Sequence, residues 1–188
     1  MSLQIWWYLI WFVIWGVFNY KYNWNLAKTK KQRYITPTLF FVASTILLFI
    51  LFPLFLSKKL YPLATGALFS IFLGIFLSNY YPFYKHIKNG RYFLIALVFD
   101  IFFQQTMVVV GVNIFSNFGL FFMLAHLPVL LLKWAKLRYV YLILTFFGGT
   151  AFGYLIPHFG NLGIVISFLI HYMLYVPIFY YLRDERKI

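Results

Sequence analysis

Stretches such as Leu39 to Leu56 and Leu63 to Leu77 are apolar on every face, and this continuity limits the possible folds more than any other feature of the chain. A half-buried strand alternates polar and apolar residues, and a surface helix keeps a polar face. These runs do neither. A helix of about 20 such residues crosses roughly 30 Å of hydrocarbon, so the runs have the length and character of membrane spans. Composition agrees, because only 10% of the 188 residues are charged and 64% are hydrophobic, where a soluble domain carries about a quarter charged residues. Outer-membrane barrel strands alternate in polarity over about ten residues, which excludes that architecture. The predicted fold class is all-α, a polytopic membrane helical bundle. No Gly/Ser linker and no internal repeat divides it, so residues 1–188 are read as a single transmembrane domain.

Basic residues mark where each apolar run stops. Seven spans are predicted: Leu3 to Tyr20, Pro37 to Leu56, Tyr61 to Tyr80, Arg91 to Phe115, Phe118 to Leu132, Tyr139 to Pro157 and Leu162 to Leu182. Asn, Gly and Ser punctuate the short connections at Ser116 to Asn117 and His158 to Asn161. Alternate loops test the map independently of hydropathy. Lys21, Lys28, Lys30, Lys31, Arg33, Lys85, Lys88, Arg91, Lys133, Lys136, Arg138, Arg183, Arg186 and Lys187 fall on one side, and only Lys58 and Lys59 on the other. That asymmetry puts the N-terminus outside and the C-terminus in the cytoplasm. The first span has no basic n-region ahead of it and no small-residue cleavage site after it, so it reads as a retained helix.

The net charge of +13 therefore reports topology. The segment Lys21 to Arg33, with Tyr22, Trp24 and Tyr34 interleaved, lies beside the membrane, where anionic lipid is the expected partner and nucleic acid is not. The absence of cysteine and the richness in Phe, Tyr, Lys and Asn fit an AT-rich bacterial genome, and so a multi-pass protein of a bacterial plasma membrane. Close helix packing is expected at Gly66, Ser70 and Gly74, and at Gly149 with Gly153, because small residues let backbones approach.

Polar groups inside spans are expensive, and each needs a partner or a job. Span four carries Asp100, Gln104, Gln105 and Asn113, span five His126, and span seven His171. Spans one to three have no ionisable residue in their middles, which confines chemistry to the C-terminal half. At about 1.5 Å per residue, Gln104 lies about 16 Å below the outer surface, His126 about 12 Å and His171 about 14 Å. A lone intramembrane His or Gln is more often a bond between helices than a catalyst, and Asp100 could pair with Arg91 by snorkelling. The shared level nevertheless favours a common polar cavity. His126 and His171 are expected to face it with Gln104 or Gln105, within about 8 Å of one another. Pro128 removes a backbone donor just after His126 and should free the Leu124 carbonyl beside the histidine. His158 lies at the outer interface and His86 in a cytoplasmic loop, and both are read as solvated.

Other chemistries lack their residues. No lysine sits mid-span to carry retinal, no paired broken helices suggest a transporter, and no phosphate loop is present. Two histidines without Cys or Glu fall short of a usual zinc site. No metal or cofactor is expected.

Three short motifs carry a resemblance over residues 91–182. Phe122-Met-Leu-Ala-His126 is followed by Leu127 and Pro128; Asn161 to His171 is a Gly-containing run-in to a histidine, with Tyr175 beyond it; and Phe103-Gln104-Gln105 precedes Val109. In order and spacing these resemble the CAAX protease and bacteriocin-processing family of intramembrane proteases, whose members have a paired glutamate where Gln104 and Gln105 stand, an arginine at the place of Val109, and an asparagine at the place of Tyr175. The resemblance implies a site formed by Gln104, Gln105, His126 and His171, and a membrane peptide or lipidated protein as its substrate. In the family, glutamates activate water while histidines position it. A glutamine amide cannot accept that proton, so the general base is missing where the family puts it. Three readings follow: a non-catalytic relative that binds in its cavity or confers immunity, an intramembrane endopeptidase inactivated by Glu-to-Gln substitution, or one that uses Asp100 as base. The layout also resembles the scaffold subunit of gamma-secretase, which makes a scaffold role the alternative of a different class.

Overall fold

The computed structural model describes residues 3–20, 35–80, 90–131 and 136–184, and every regular element among them is helical. The basic segments around Lys21 to Arg33 and Lys85 to Lys88, with Lys133, Arg186 and Lys187, lie outside the described residues, as does His86. The order is α1 (Leu3–Asn19), α2 (Thr36–Leu51), a short α3 (Pro53–Leu56), α4 (Leu60–Tyr80), α5 (Gly90–Gly111), α6 (Phe118–Ala125) and α7 (Arg138–Asp184). Two segments, Pro53–Phe76 and Arg138–Tyr175, are long and apolar enough to cross a membrane; the other apolar helices are shorter.

Two breaks shape the bundle. Pro53 cannot donate a backbone hydrogen bond and forces its predecessor out of the helical region, and Phe52 sits at φ −124, ψ 51. The break after α2 therefore falls at Phe52, ahead of the predicted turn at Lys58 and Lys59, which instead occupy a helical turn continuous with α4. Within α7, Gly160 adopts φ 54, ψ −122, a conformation that serves the first corner of a type II′ turn and suits only glycine. The chain folds back there, as expected from the His158 to Asn161 punctuation, and the Gly163 backbone packs against the carbonyl of Leu155. The two arms of α7, residues 138–159 and 161–184, thus form a helical hairpin. Gly160→Ala meets no steric obstacle, yet should cost about 1–3 kcal/mol through the positive φ alone. Unfolding of the variant in mixed micelles would measure it.

The outer faces are apolar, and the core is mainly hydrophobic with a minority of buried polar side chains. From Leu97 to Gly111, α5 is buried on nearly every face, with Asp100, Gln104, Gln105 and Thr106 among its interior side chains. It packs against α2, α4 and α7, while α6 lies on α7. The outward faces carry large exposed hydrophobics, including Trp6, Ile10, Val13 and Val17 on α1 and Leu68, Phe69, Phe72 and Phe76 on α4. Water would not support that surface on a monomer; hydrocarbon would.

Small residues set the helix approaches. Gly66 lies under Phe168, and Gly74 under the Tyr172 hydroxyl, so the face of Gly66, Ser70 and Gly74 is where α4 meets the second arm of α7. Gly149 of the first arm sits against Gly119 and Phe122 of α6. Tyr8 joins α1 to α5 by donating its hydroxyl to the Met107 carbonyl at 2.9 Å. That bond removes the cost of a buried phenol.

Candidate functional site

The fifth predicted span does not run as one helix to Leu132. Helix α6 begins at Asn117, whose side chain accepts from the Leu120 amide at 3.1 Å, and it ends at Ala125. The chain then tightens into a 3₁₀ turn over Leu127–Leu131. The His126 amide bonds to the Met123 carbonyl in the i to i+3 pattern, which releases the Phe122 carbonyl from its α-helical partner. The His126 ring takes that place, its Nδ1 lying 2.7 Å from the Phe122 oxygen. A carbonyl only accepts, so Nδ1 carries a proton and, in the neutral ring, Nε2 is the free acceptor. Nε2 is buried and has no protein partner. The expectation of a locally broken helix at Pro128 holds; the carbonyl that reaches the histidine is that of Phe122, not Leu124.

Gln105 brings α5 to α7. Its Nε2 lies 2.9 Å from His171 Nδ1 and donates to the Ser167 carbonyl at 3.3 Å. The Ser167 oxygen fixes the amide orientation, because an amide oxygen turned toward it would repel. His171 Nδ1 is then an acceptor, and its proton resides on Nε2.

Both imidazoles pack on Phe122, with ring centroids 4.5 Å away for His126 and 5.9 Å for His171. They line one cavity of about 40 Å³ that opens to a wider mouth, together with Tyr141, Thr145, Phe152 and Tyr175. The two histidines therefore border the same cavity. The cavity itself is not the polar one predicted: aromatic and aliphatic side chains make most of its wall.

Gln104 departs from the expected set. One residue from Gln105, it is turned about 100° around the helix and borders a different pocket with Tyr8, Phe12 and Trp15 of α1. Its Nε2 donates to Asp100 Oδ1 at 2.8 Å, and the Tyr175 hydroxyl donates to Asp100 Oδ2 at 3.2 Å. Asp100 is buried and is joined to the histidine cavity through the Tyr175 hydroxyl. Asn113 bonds back to the Val109 carbonyl at 2.8 Å, away from the cluster, and the exposed His158 does the same to Tyr154 at 2.8 Å.

The apolar half of the chain contributes more than its lack of ionisable residues suggested. Trp15 of α1 meets His126 edge-on, with centroids 5.3 Å apart and planes at 76°, and shares a smaller pocket with His126, Tyr20 and Pro128. On α7 the missed wall residues Tyr141, Thr145, Gly148 and Phe152 recur at helical spacing along one face, a pattern present in the sequence. The described residues contain no group of three or more His, Cys, Asp or Glu that could hold a metal ion.

Comparison with protein-family models, with curated proteins and with solved structures returns no match.

Proposed function

We propose that this chain is a seven-span membrane protein, N-terminus outside, of a bacterial plasma membrane, and a non-catalytic binding or immunity-type relative of the CAAX protease and bacteriocin-processing family. The apolar exterior, with polar side chains such as Asp100, Gln104 and Gln105 kept inside, supports membrane embedding, and the distribution of basic residues supports the orientation. The hairpin at Gly160 supports reading α7 as two crossings and not one. At about 1.5 Å per residue each arm exceeds roughly 30 Å of hydrocarbon. The family likeness gains support from the meeting of positions in all three motifs, Gln105, His126 and His171, around Phe122.

One observation carries the non-catalytic reading: the side chain of Gln105 is held by an obligate acceptor, the Ser167 carbonyl. A site shaped for a carboxylate would present donors there. The nitrogen end of the side chain is matched by acceptors while its oxygen is buried without a protein partner, and the matched end argues against a glutamate merely exchanged for its isostere. The purified chain in liposomes is expected to leave membrane peptides uncut, as read by mass spectrometry. Cleavage that disappears on His126→Ala would refute this.

The alternative of an enzyme with Asp100 as base draws on the hydrogen bond from Tyr175, a cavity residue, to Asp100. Both Asp100 oxygens already accept hydrogen bonds, which suits a structural role better. Asp100→Asn separates the two, since only the enzyme reading makes a cleavage signal depend on it. Anionic lipid remains the proposed partner of the basic cytoplasmic segments, and a scaffold role within a membrane complex is compatible with the same cavity.

A further inference from the structure

We propose that the cavity between the two arms of α7 takes an uncharged amphiphile from the lipid phase, a long-chain molecule whose head is a hydroxyl or comparable group that both donates and accepts a hydrogen bond. This rests on the binding reading above and names its ligand class.

The mouth fixes the route. Leu144 of the first arm and Leu174 of the second line the cavity and are 41% and 46% exposed, so it opens sideways through the apolar outer surface. Gly148, one turn beyond Leu144, has nothing within 4 Å of where a side chain would begin. A ligand entering there arrives from among acyl chains and keeps its tail against Leu144, Phe152 and Leu174.

The two imidazoles fix the head. His171 spends Nδ1 on Gln105 and is left with a donor at Nε2. His126 spends Nδ1 on the Phe122 carbonyl and is left with an acceptor at Nε2, buried and without a protein partner. Both rings line the cavity, so a donor and an acceptor border it with no net charge. A carboxylate offers acceptors only and an ammonium donors only, so either would leave one imidazole unmatched and bring an uncompensated charge into an apolar site. A hydroxyl serves both.

The test uses the full chain in phosphatidylcholine nanodiscs and a photoreactive diazirine analogue of dodecanol, with unlabelled dodecanol, dodecanoate and dodecylammonium as competitors at matched bilayer mole fraction. Saturable labelling of the α7 arms is expected, with dodecanol competing at about a tenfold lower mole fraction than either charged amphiphile. Gly148→Leu, which plugs the mouth without touching a histidine, should abolish the saturable component, and His126→Phe should equalise the three competitors. Equal competition on the unaltered chain, or a preference that survives His126→Phe, would overturn the head-group assignment while leaving cavity binding intact. A folded protein with no saturable labelling would overturn both. If His126→Phe does not fold, competition on the unaltered chain together with Gly148→Leu still decides the matter.

Discussion

Gly149→Leu is expected to destabilise the protein by about 3 kcal/mol or more, whereas Gly148→Leu, one residue earlier, should change stability by less than about 1 kcal/mol. The contrast comes from what each new side chain meets. A Cβ at position 149 would lie 2.6 Å from the Phe122 Cβ and 3.1 Å from the Gly119 Cα. Neither atom can move by rotating a side chain, so α6 itself must shift. That helix carries His126 at its end, and the same substitution should therefore disturb the cavity. At position 148 the space is open, and the leucine would extend into the mouth of the cavity without displacing a neighbour. Reversible unfolding in mixed micelles measures both variants. Equal effects would mean that α6 and the first arm of α7 do not approach through Gly119 and Gly149.

Gln105→Glu is expected to cost about 3 kcal/mol, although it changes one atom and keeps the side chain's shape. The present amide donates to the Ser167 carbonyl and to His171 Nδ1. A carboxylate there would face the lone pairs of the Ser167 oxygen and lose that bond outright. It would keep the second contact only if the His171 proton moved to Nδ1, removing the donor that His171 turns to the cavity. Gln105→Leu, which abandons both bonds without adding a charge, should be milder. Thermal unfolding and folded yield of the two variants measure this. A Gln105→Glu protein as stable as its parent would remove the argument from the matched amide nitrogen, and would favour the inactivated-enzyme reading.

The sequence made some of this architecture legible for identifiable reasons. The polar residues stood out because hydrocarbon makes each one expensive, and shared depth singled out His126 and His171, which border one cavity. The Gly160 turn was readable from the residues around it, since a long apolar stretch interrupted by glycine and asparagine has to reverse. Rotation about the helix axis was not readable. Gln104 and Gln105 look like one motif when written in a line, but adjacent helical residues diverge by about 100°, and the packing of α5 sends Gln105 to α7 and Gln104 toward α1. The shortness of α6 was likewise concealed: Leu127 to Leu131 is as apolar as the helix before it, and only Pro128 signalled that the hydrogen-bond ladder would change. Trp15 was missed because its part is aromatic contact with His126 across the bundle, and nothing local to α1 announces that neighbour. The face of Tyr141, Thr145, Gly148 and Phe152 had the right spacing, but spacing does not tell which of several buried faces borders open space.

Convergence of side chains from separate helices underlies the cavity, the family likeness and the proposed ligand alike. A double-mutant cycle on Gln105→Leu and His171→Leu, with unfolding free energies measured in mixed micelles, tests it most directly. The 2.9 Å contact between the two side chains predicts a coupling of about 0.6–1.7 kcal/mol, the range of hydrogen bonds between membrane helices. Effects that add within about 0.3 kcal/mol would mean that Gln105 and His171 do not meet, and would contradict the account.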